Sequence, residues 1–403
     1  MINNIGLQRL SRLWITTRWA FIKLYLDNPN KIKVSNTVRW VSTSPNRSTY
    51  NQNDHKSDSI ILARKILPAD TNPLGIIHGG QTLQLAEQAG HIAATRHCYS
   101  SNNNNRVTQT DQNIYNAAYM ARLDHMNFLQ PIFVNEVAQA RAEVVFVSQH
   151  SLAVEIEVTA EDPSRGTRRL TNRGIFWYVN FNKDPVSQQV SLAKVPPLLH
   201  YDVDKYQKCL QLYNQQKENR RLVQGFDDIT IKDNIASVSN IDQTGATKET
   251  QATVAASESV LVHMVMPADC YQIQRVTGGC LMKLMDNVAA IVCIRHTKGT
   301  IATASINDID FLKPVKMGNL ITAIGRLTFT STKSMEVQVQ VIAEDIWANN
   351  SNRYVASSAF YNFVVLQKND KVPSLILTSD YEKRLFEEGR IRYENRKKMF
   401  KKK

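Results

Sequence analysis

Five short blocks of this chain occur twice, in the same order, and that repetition limits the possible folds more than any other feature. LPAD at 67–70 returns as MPAD at 266–269, Gly79-Gly80 as Gly278-Gly279, and Arg96-His97 as Arg295-His296, each 199 residues later. FLQP at 128–131 returns as FLKP at 311–314, and SQHSLAVEIEVTAED at 148–162 as STKSMEVQVQVIAED at 331–345, each 183 residues later. The offsets differ by 16 residues, which fall within SSNNNNRVTQTDQNIYNAAY of the first copy, a polar loop marked by four consecutive Asn. Such self-similarity marks a duplicated unit, so two compact copies and a connector are expected rather than one large fold. The 403 residues suffice for two ordinary domains, and 43% apolar with 21% charged residues is a globular composition.

Each copy has the same grammar. A Pro/Asp loop leads to the Gly-Gly pair, then to one apolar helix, then to strands. LAVEIEVTA and MEVQVQVIA alternate strictly, the period of a half-buried strand. VAQARAEVVFV and LITAIGRLTFT read as their hairpin partners, and GIFWYVNF and SAFYNFVVL close each copy. CLMKLMDNVAAIVCIRH is apolar on nearly every face, which predicts an enclosed helix. A buried helix with several antiparallel strands predicts an α+β unit, a curved sheet wrapped around its helix. The expected divisions are a leader and linker at 1–50, a first copy at 58–182, a connector at 183–255, a second copy at 256–368 and a basic tail at 369–403. Within the connector, Lys205–Arg221 reads as a polar helix and Ser237–Ala256 as a linker.

The formal charge of +13 invites a nucleic-acid reading, but its distribution excludes a basic binding stripe. Residues 1–47 hold eight Lys/Arg against one acid, and 389–403 hold eight against one, which leaves the body at one net negative charge. The N-terminal GLQRLSRLWITTRWAFIKLYL mixes Arg and Lys with bulky apolar residues, and no acid precedes Asp27. That is the composition of a mitochondrial presequence, so a matrix location with cleavage before about residue 50 is expected, the cytosol being the alternative. The C-terminal YEKRLFEEGRIRYENRKKMFKKK reads as a charged helix entering a solvated tail. No run of eighteen uncharged apolar residues occurs, so no spanning helix is expected. The five Cys form no C-x-x-C pair, which predicts buried free thiols and no zinc ribbon.

Three features could carry chemistry, and each admits a plainer reading. The Gly-Gly pairs place unpaired first-turn amides at the positive end of a helix, where they could hold a developing oxyanion. They could equally serve only tight packing. Eight residues beyond the first Gly of each pair stands an acid, Glu87 and Asp286, two turns into the helix. A buried carboxylate there is a candidate base or nucleophile, or a structural hydrogen-bond acceptor. Fifteen residues before these acids stand Asn72 and Tyr271. Asn72 could hold a water or carbonyl, or could simply make a turn before Pro73.

LPADTNPLGIIHGGQTLQLAEQAGHIAATRHC, MPADCYQIQRVTGGCLMKLMDNVAAIVCIRH, FTSTKSMEVQVQV and LTNRGIFWYV resemble the double hot-dog acyl-CoA thioesterases, and among these the brain-type long-chain hydrolases. The resemblance runs from about Ile60 to the end of the chain and is weakest at 183–255. It implies two tandem hot-dog domains paired like the subunits of a dimer, association into trimers of double units, and hydrolysis of fatty acyl-CoA to fatty acid and CoA with no cofactor or metal. Each potential site would take its loop Asn and Gly amide from one repeat and its acid from the other. The competent site would hold Asn72, Gly79 and Asp286; the vestigial one Tyr271, Gly278 and Glu87, because Tyr lacks the amide. His78, Gly80, Leu284 and Val288 are expected to bind substrate, the last two along the acyl chain, with Lys333 and Ser334 at the CoA phosphates. Departures from the relatives are Thr277 in place of His, Ile76 in place of a polar residue, and the Asn-rich insertion. The resemblance leaves Asp286 as either general base or nucleophile. A serine-esterase type of hydrolase, a noncatalytic acyl-CoA-binding protein and a hot-dog dehydratase complete the expectations, the dehydratase fitting poorly because it normally pairs His with an acid.

Overall fold

The computed structural model describes residues 59–100, 115–183, 189–223, 252–271, 274–348, 352–366 and 371–401. The expected leader, most of the Asn-rich loop and most of the linker lie outside them. The first copy runs β1 (Ile60–Lys65), α1 (Gly79–Ser100), β2 (Tyr115–Phe128), β3 (Val137–Val147), β4 (Ser151–Asp162) and β5 (Thr167–Lys183), with a short β6 (Val190–Leu192) paired to β5. A helix α2 (Val203–Val223) and a single turn α3 (Val254–Ser257) lead to the second copy. That copy runs β7 (Ser259–Met264), α4 (Gly278–Thr297), β8 (Ile301–Phe311), β9 (Leu320–Thr330), β10 (Ser334–Glu344) and β11 (Arg353–Val365), and α5 (Asp380–Lys401) follows it.

The strand order is β1-β3-β4-β5-β2-β8-β11-β10-β9-β7, one open antiparallel sheet in which the second copy mirrors the first. The seam is β2 against β8, where Leu123 faces Ile309 and Met126 faces Ile306. Arg122 ties that seam with ion pairs to Asp310 at 2.6 Å and Asp308 at 3.1 Å. The duplication extends to backbone irregularities. A bulge between Val144 and Phe146 recurs where Phe329 and Leu327 flank the break, and one after Val158 recurs after Val341. Bulges bend a strand and raise its twist, so these paired defects curve both halves alike.

Each half wraps its own helix. Leu83, Ala86, Ala89 and Ala93 of α1 are fully buried, and α4 buries Met282, Met285, Val288, Ala289 and Val292. The small alanines of α1 and the larger residues of α4 are buried alike, so the second helix needs the more apolar sequence to fill its volume. The two helices touch at their N-termini. A Cβ on Gly80 would stand 2.8 Å from Lys283 Cα, and one on Gly279 would stand 3.1 Å from Gln84 Cα. The second Gly of each pair is thus required where the helices meet.

Two expectations change at the outer face of the sheet. The connector helix α2 is not merely polar: Tyr206, Cys209, Leu210 and Tyr213 pack on Phe146, Ala153, Ile175 and Trp177. The C-terminal helix α5 is not simply solvated: Phe386 and Tyr393 lie against Phe329. Arg392 and Arg396 reach the fully buried Glu336 at 2.7 and 3.0 Å, and Thr328 donates to it at 3.0 Å. Glu336 occupies the position that Ala153 holds in the first copy, so the second copy anchors its outer helix by charge where the first uses apolar contact. The five free cysteines include three buried (Cys98, Cys209, Cys293) and two half-buried (Cys270, Cys280). No helix among the described residues is long and apolar enough to cross a membrane. Removing one partner of a buried ion pair strands the other charge. Glu336→Ala is therefore expected to lower the free energy of unfolding by roughly 3–5 kcal/mol, measured by chemical denaturation. A loss below about 1 kcal/mol, the scale of surface pairs, would show that the helix docks without it.

Candidate active site

The helix N-termini face two cavities, one on each side of the crossing. The first, about 470 Å³, is lined by Asn72, His78 and Gly79 of the first copy and by Asp286 and Thr303 of the second. The loop that delivers Asn72 is a tight turn. Asn72 Oδ1 accepts from the amides of Leu74 at 3.0 Å and Ile76 at 3.1 Å, and Gly75 sits at φ +72°. The turn reading of Asn72 is thus met by the side-chain oxygen, and the site reading would rest on the Nδ2 donors. Gly79 opens α1, so its amide has no intrahelical acceptor. A Cβ on Gly79 would stand 2.7 Å from Thr303 Oγ1 and 2.9 Å from Asp286 Oδ1, so glycine is what lets the other repeat come so near.

Asp286 is 1% exposed and is held at both oxygens. Oδ2 accepts from the Gly80 amide at 2.7 Å and Oδ1 from the Thr303 hydroxyl at 3.0 Å. Burial raises its pKa above the ordinary aspartate value, while the Gly80 amide, the Thr303 hydroxyl and the His78 charge pull it back. The result is a carboxylate more basic than one in water, still ionisable, at the end of a helix dipole.

The second cavity, about 580 Å³, is the twin with different chemistry. Tyr271 cannot make the Asn turn and instead donates its hydroxyl to Glu87 Oε2 at 2.7 Å, with His91 stacked on its ring at 3.7 Å. Burial raises the Glu87 pKa to about 7, against the opposing hydrogen bonds from Tyr271 and Gly279. Met120 stands at the position of Thr303, and a Cβ on Gly278 would lie 2.5 Å from its Sδ. Arg275 lies over the rings of Tyr119 and Phe181. Thr277, in the place of His78, caps α4 by accepting from Cys280 N at 3.0 Å.

Several expected contacts fall elsewhere. Gly80 does not line the first cavity; its amide is spent on Asp286. Leu284 and Val288 do not line it either: Val288 packs toward Gly325 of β9, and Leu284 lies against the core. Ala290 and Ile294, on the next face of α4, line it instead, with Ile301, Phe128 and Phe363. Lys333 and Ser334 sit at the β9–β10 turn, where Ser334 bonds Ser331; neither lines the cavity, although the Lys333 carbonyl accepts from Val365 N, between the lining residues Val364 and Leu366. Among the described residues no Lys, Arg or Ser lines the first cavity, so neither the expected phosphate contacts nor a serine-type nucleophile is found among them. Thr303 was missed, though the 183-residue offset pairs it with Met120 and so flags a polar position kept in one site only. One trio of metal-ligating types converges outside both cavities: His263 bonds Asp269 at 2.8 Å, and Cys280 donates to Asp269 at 3.5 Å. Its counterparts Arg64 and Asp70 form an ion pair, so the His–Asp contact repeats a structural one.

The Thioesterase superfamily matches residues 74–167 and 274–346, one segment in each copy. The cytosolic acyl coenzyme A thioester hydrolase of Mus musculus is 36% identical over 352 residues, covering 86% of this chain and 86% of that protein. The chain belongs to this thioester hydrolase family. The Homo sapiens cytosolic acyl coenzyme A thioester hydrolase is 36% identical over 336 residues, 83% of this chain and 82% of that protein. An uncharacterized acyl-CoA thioester hydrolase of Bacillus subtilis is 34% identical over 139 residues, 33% of this chain but 80% of that protein, as a single unit would be. The mouse, rat and human relatives are cytosolic by name, which overturns the expected matrix location in favour of the cytosolic alternative. A basic, acid-poor segment can be read as a presequence by composition alone, and composition does not decide import.

Thr303 holds the ionised form of Asp286. Thr303→Val is therefore expected to raise the Asp286 pKa further and move the acidic limb of kcat/KM against pH upward. An unmoved limb in a folded variant would remove Thr303 from the site.

Proposed function

We propose that this thioester hydrolase cleaves fatty acyl-CoA to fatty acid and CoA in the first cavity alone, with Asp286 as general base. The observation that carries this reading is the meeting of Asn72, Gly79, Thr303 and Asp286 in one largely apolar cavity, from opposite repeats. The thioester carbonyl takes the Gly79 amide and the Asn72 Nδ2 donors, which stabilise the charge that develops on oxygen. Asp286, basic through burial, accepts a proton from water as the oxygen attacks the carbonyl carbon. The carbon–sulfur bond then breaks, and the proton passes to the departing thiolate. The Gly80 amide and the Thr303 hydroxyl fix the carboxylate in place, one donor to each oxygen, which suits a base that must present a lone pair to water.

The second cavity keeps a glycine and an acid but differs at the other parts: Tyr271 stands for Asn72, Met120 for Thr303, and the Glu87 carboxyl is engaged by the tyrosine hydroxyl. The acyl chain runs along Ile294, Ile301 and Phe363, and the rim carries half-exposed Leu74 and Leu129. The exposed Ile61 and Val262 on edge strands β1 and β7 support association of double units, with a trimer as the specific form. The cytosol is the proposed location.

Asp286→Asn is expected to lower kcat by about 10²–10⁴-fold, followed by thiol release from acyl-CoA. Glu87→Gln, the matching change in the other cavity, is expected to keep the wild-type rate. Equal losses from the two would show two working sites, and no loss from Asp286→Asn would remove the base.

A further inference from the structure

Two polar side chains in the first cavity have no part in the chemistry above. Thr82 lies one turn into α1 and is 1% exposed; Asn172 lies in β5 and is also 1% exposed. Both line the cavity that holds Asp286. Thr82 Oγ1 and both Asn172 side-chain atoms, Oδ1 and Nδ2, are buried without a hydrogen-bond partner among the described residues. An unmet buried polar group is costly, so three such atoms in one cavity point to a ligand that meets them.

The duplication acts as an internal control. The 199-residue offset pairs Thr82 with Leu281, which lines the second cavity. Strand register pairs Asn172, opposite Val158, with Ser357, opposite Val341. Ser357 spends its hydroxyl on the Asp310 carbonyl at 2.9 Å and does not line the second cavity. The polar pair thus belongs to the cavity that keeps Asn72, Thr303 and Asp286.

The chemistry of the unmet atoms narrows the ligand. A thioester oxygen only accepts and would leave Asn172 Oδ1 unmet. A molecule that both donates and accepts meets a hydroxyl and an amide together; the pantetheine amides of the substrate could do so, but among the reactants water is the small one that fits against two side chains each 1% exposed. The position fits as well. Helical side chains lean toward the N-terminus, so Thr82 reaches back toward Gly79, against which Asp286 lies. Asp286 has one donor on each oxygen and so keeps lone pairs for a water proton.

We infer that Thr82 and Asn172 hold the attacking water of the hydrolysis beside Asp286. This rests on the general-base reading of that site. The held water gives one proton to Asp286 as its oxygen bonds the acyl carbon, and the same proton leaves on the CoA thiol.

The test is steady-state hydrolysis by Thr82→Val, Thr82→Ser and Asn172→Leu in the full chain, with binding of a non-hydrolysable thioether analogue of acyl-CoA as the check on folding. Thr82→Val, close in shape to threonine, is expected to lower kcat by about 10²-fold with KM and analogue affinity within about twofold. Thr82→Ser, which keeps the hydroxyl, is expected to restore the rate. Asn172→Leu is expected to behave like Thr82→Val, and if it fails to bind the analogue the two threonine variants decide. Wild-type kcat in Thr82→Val would overturn the inference. So would a rise in KM at unchanged kcat, which would make these residues contacts of the acyl group. In either case a dead Asp286→Asn leaves the general-base reading standing, whereas an active one removes that reading first.

Discussion

The carboxylate of Asp286, in the helix of one repeat, accepts the Gly80 amide from the helix of the other at 2.7 Å. Much of the structure follows from that bond. It requires two helix N-termini to meet, so it requires glycines where they cross. It places a buried acid at the positive end of a second helix, where its charge is tolerated. A hydrogen bond to a charged group contributes about 1.5–3 kcal/mol, and the twin contact of Gly279 with Glu87 repeats it across the pseudo-twofold. The continuous β2–β8 seam keeps the halves in register, so that the meeting of the helices is fixed by the whole sheet.

The same scaffold then diverged by a few side chains. In one cavity an Asn turn, a Thr and an Asp leave donors and a base facing an apolar space. In the other, a Tyr hydroxyl occupies the acid and a Met covers the glycine. Glu87, with its pKa raised to about 7, then becomes a liability rather than a tool. Burial favours its protonated form, so between pH 4.5 and about 7 the folded chain binds more protons than the unfolded one, and stability falls as pH rises through that window. On the single-site proposal, the duplicated enzyme can carry this cost because the twin site performs the reaction.

The sequence made the duplication, the central helices and the strand pattern legible because these depend on spacing and periodicity. It also made Asn72, Gly79 and Asp286 legible, since equal spacing in both copies put them in equivalent places. The cavity-lining face of α4 was not legible. A helix apolar all round carries no sign of which face meets a sheet and which meets a cavity, so nothing in the pattern separates Leu284 and Val288, which do not line the cavity, from Ala290 and Ile294, which do. Thr82 and Asn172 gave no local signal, because their meaning lies in a cavity shared by α1 and β5. The docking of α5 was hidden because Glu336 reads as an ordinary polar residue of an alternating strand, and only burial reveals that Arg392 and Arg396 answer it.

The most direct test of the central claim is an experimental structure of the chain with a thioether analogue of a fatty acyl-CoA. The account predicts the sulfur in the first cavity, with the neighbouring carbonyl on the Gly79 amide and Asn72 Nδ2 and the acyl carbon facing Asp286. A sulfur seated only in the second cavity, beside Tyr271 and Glu87, would contradict it.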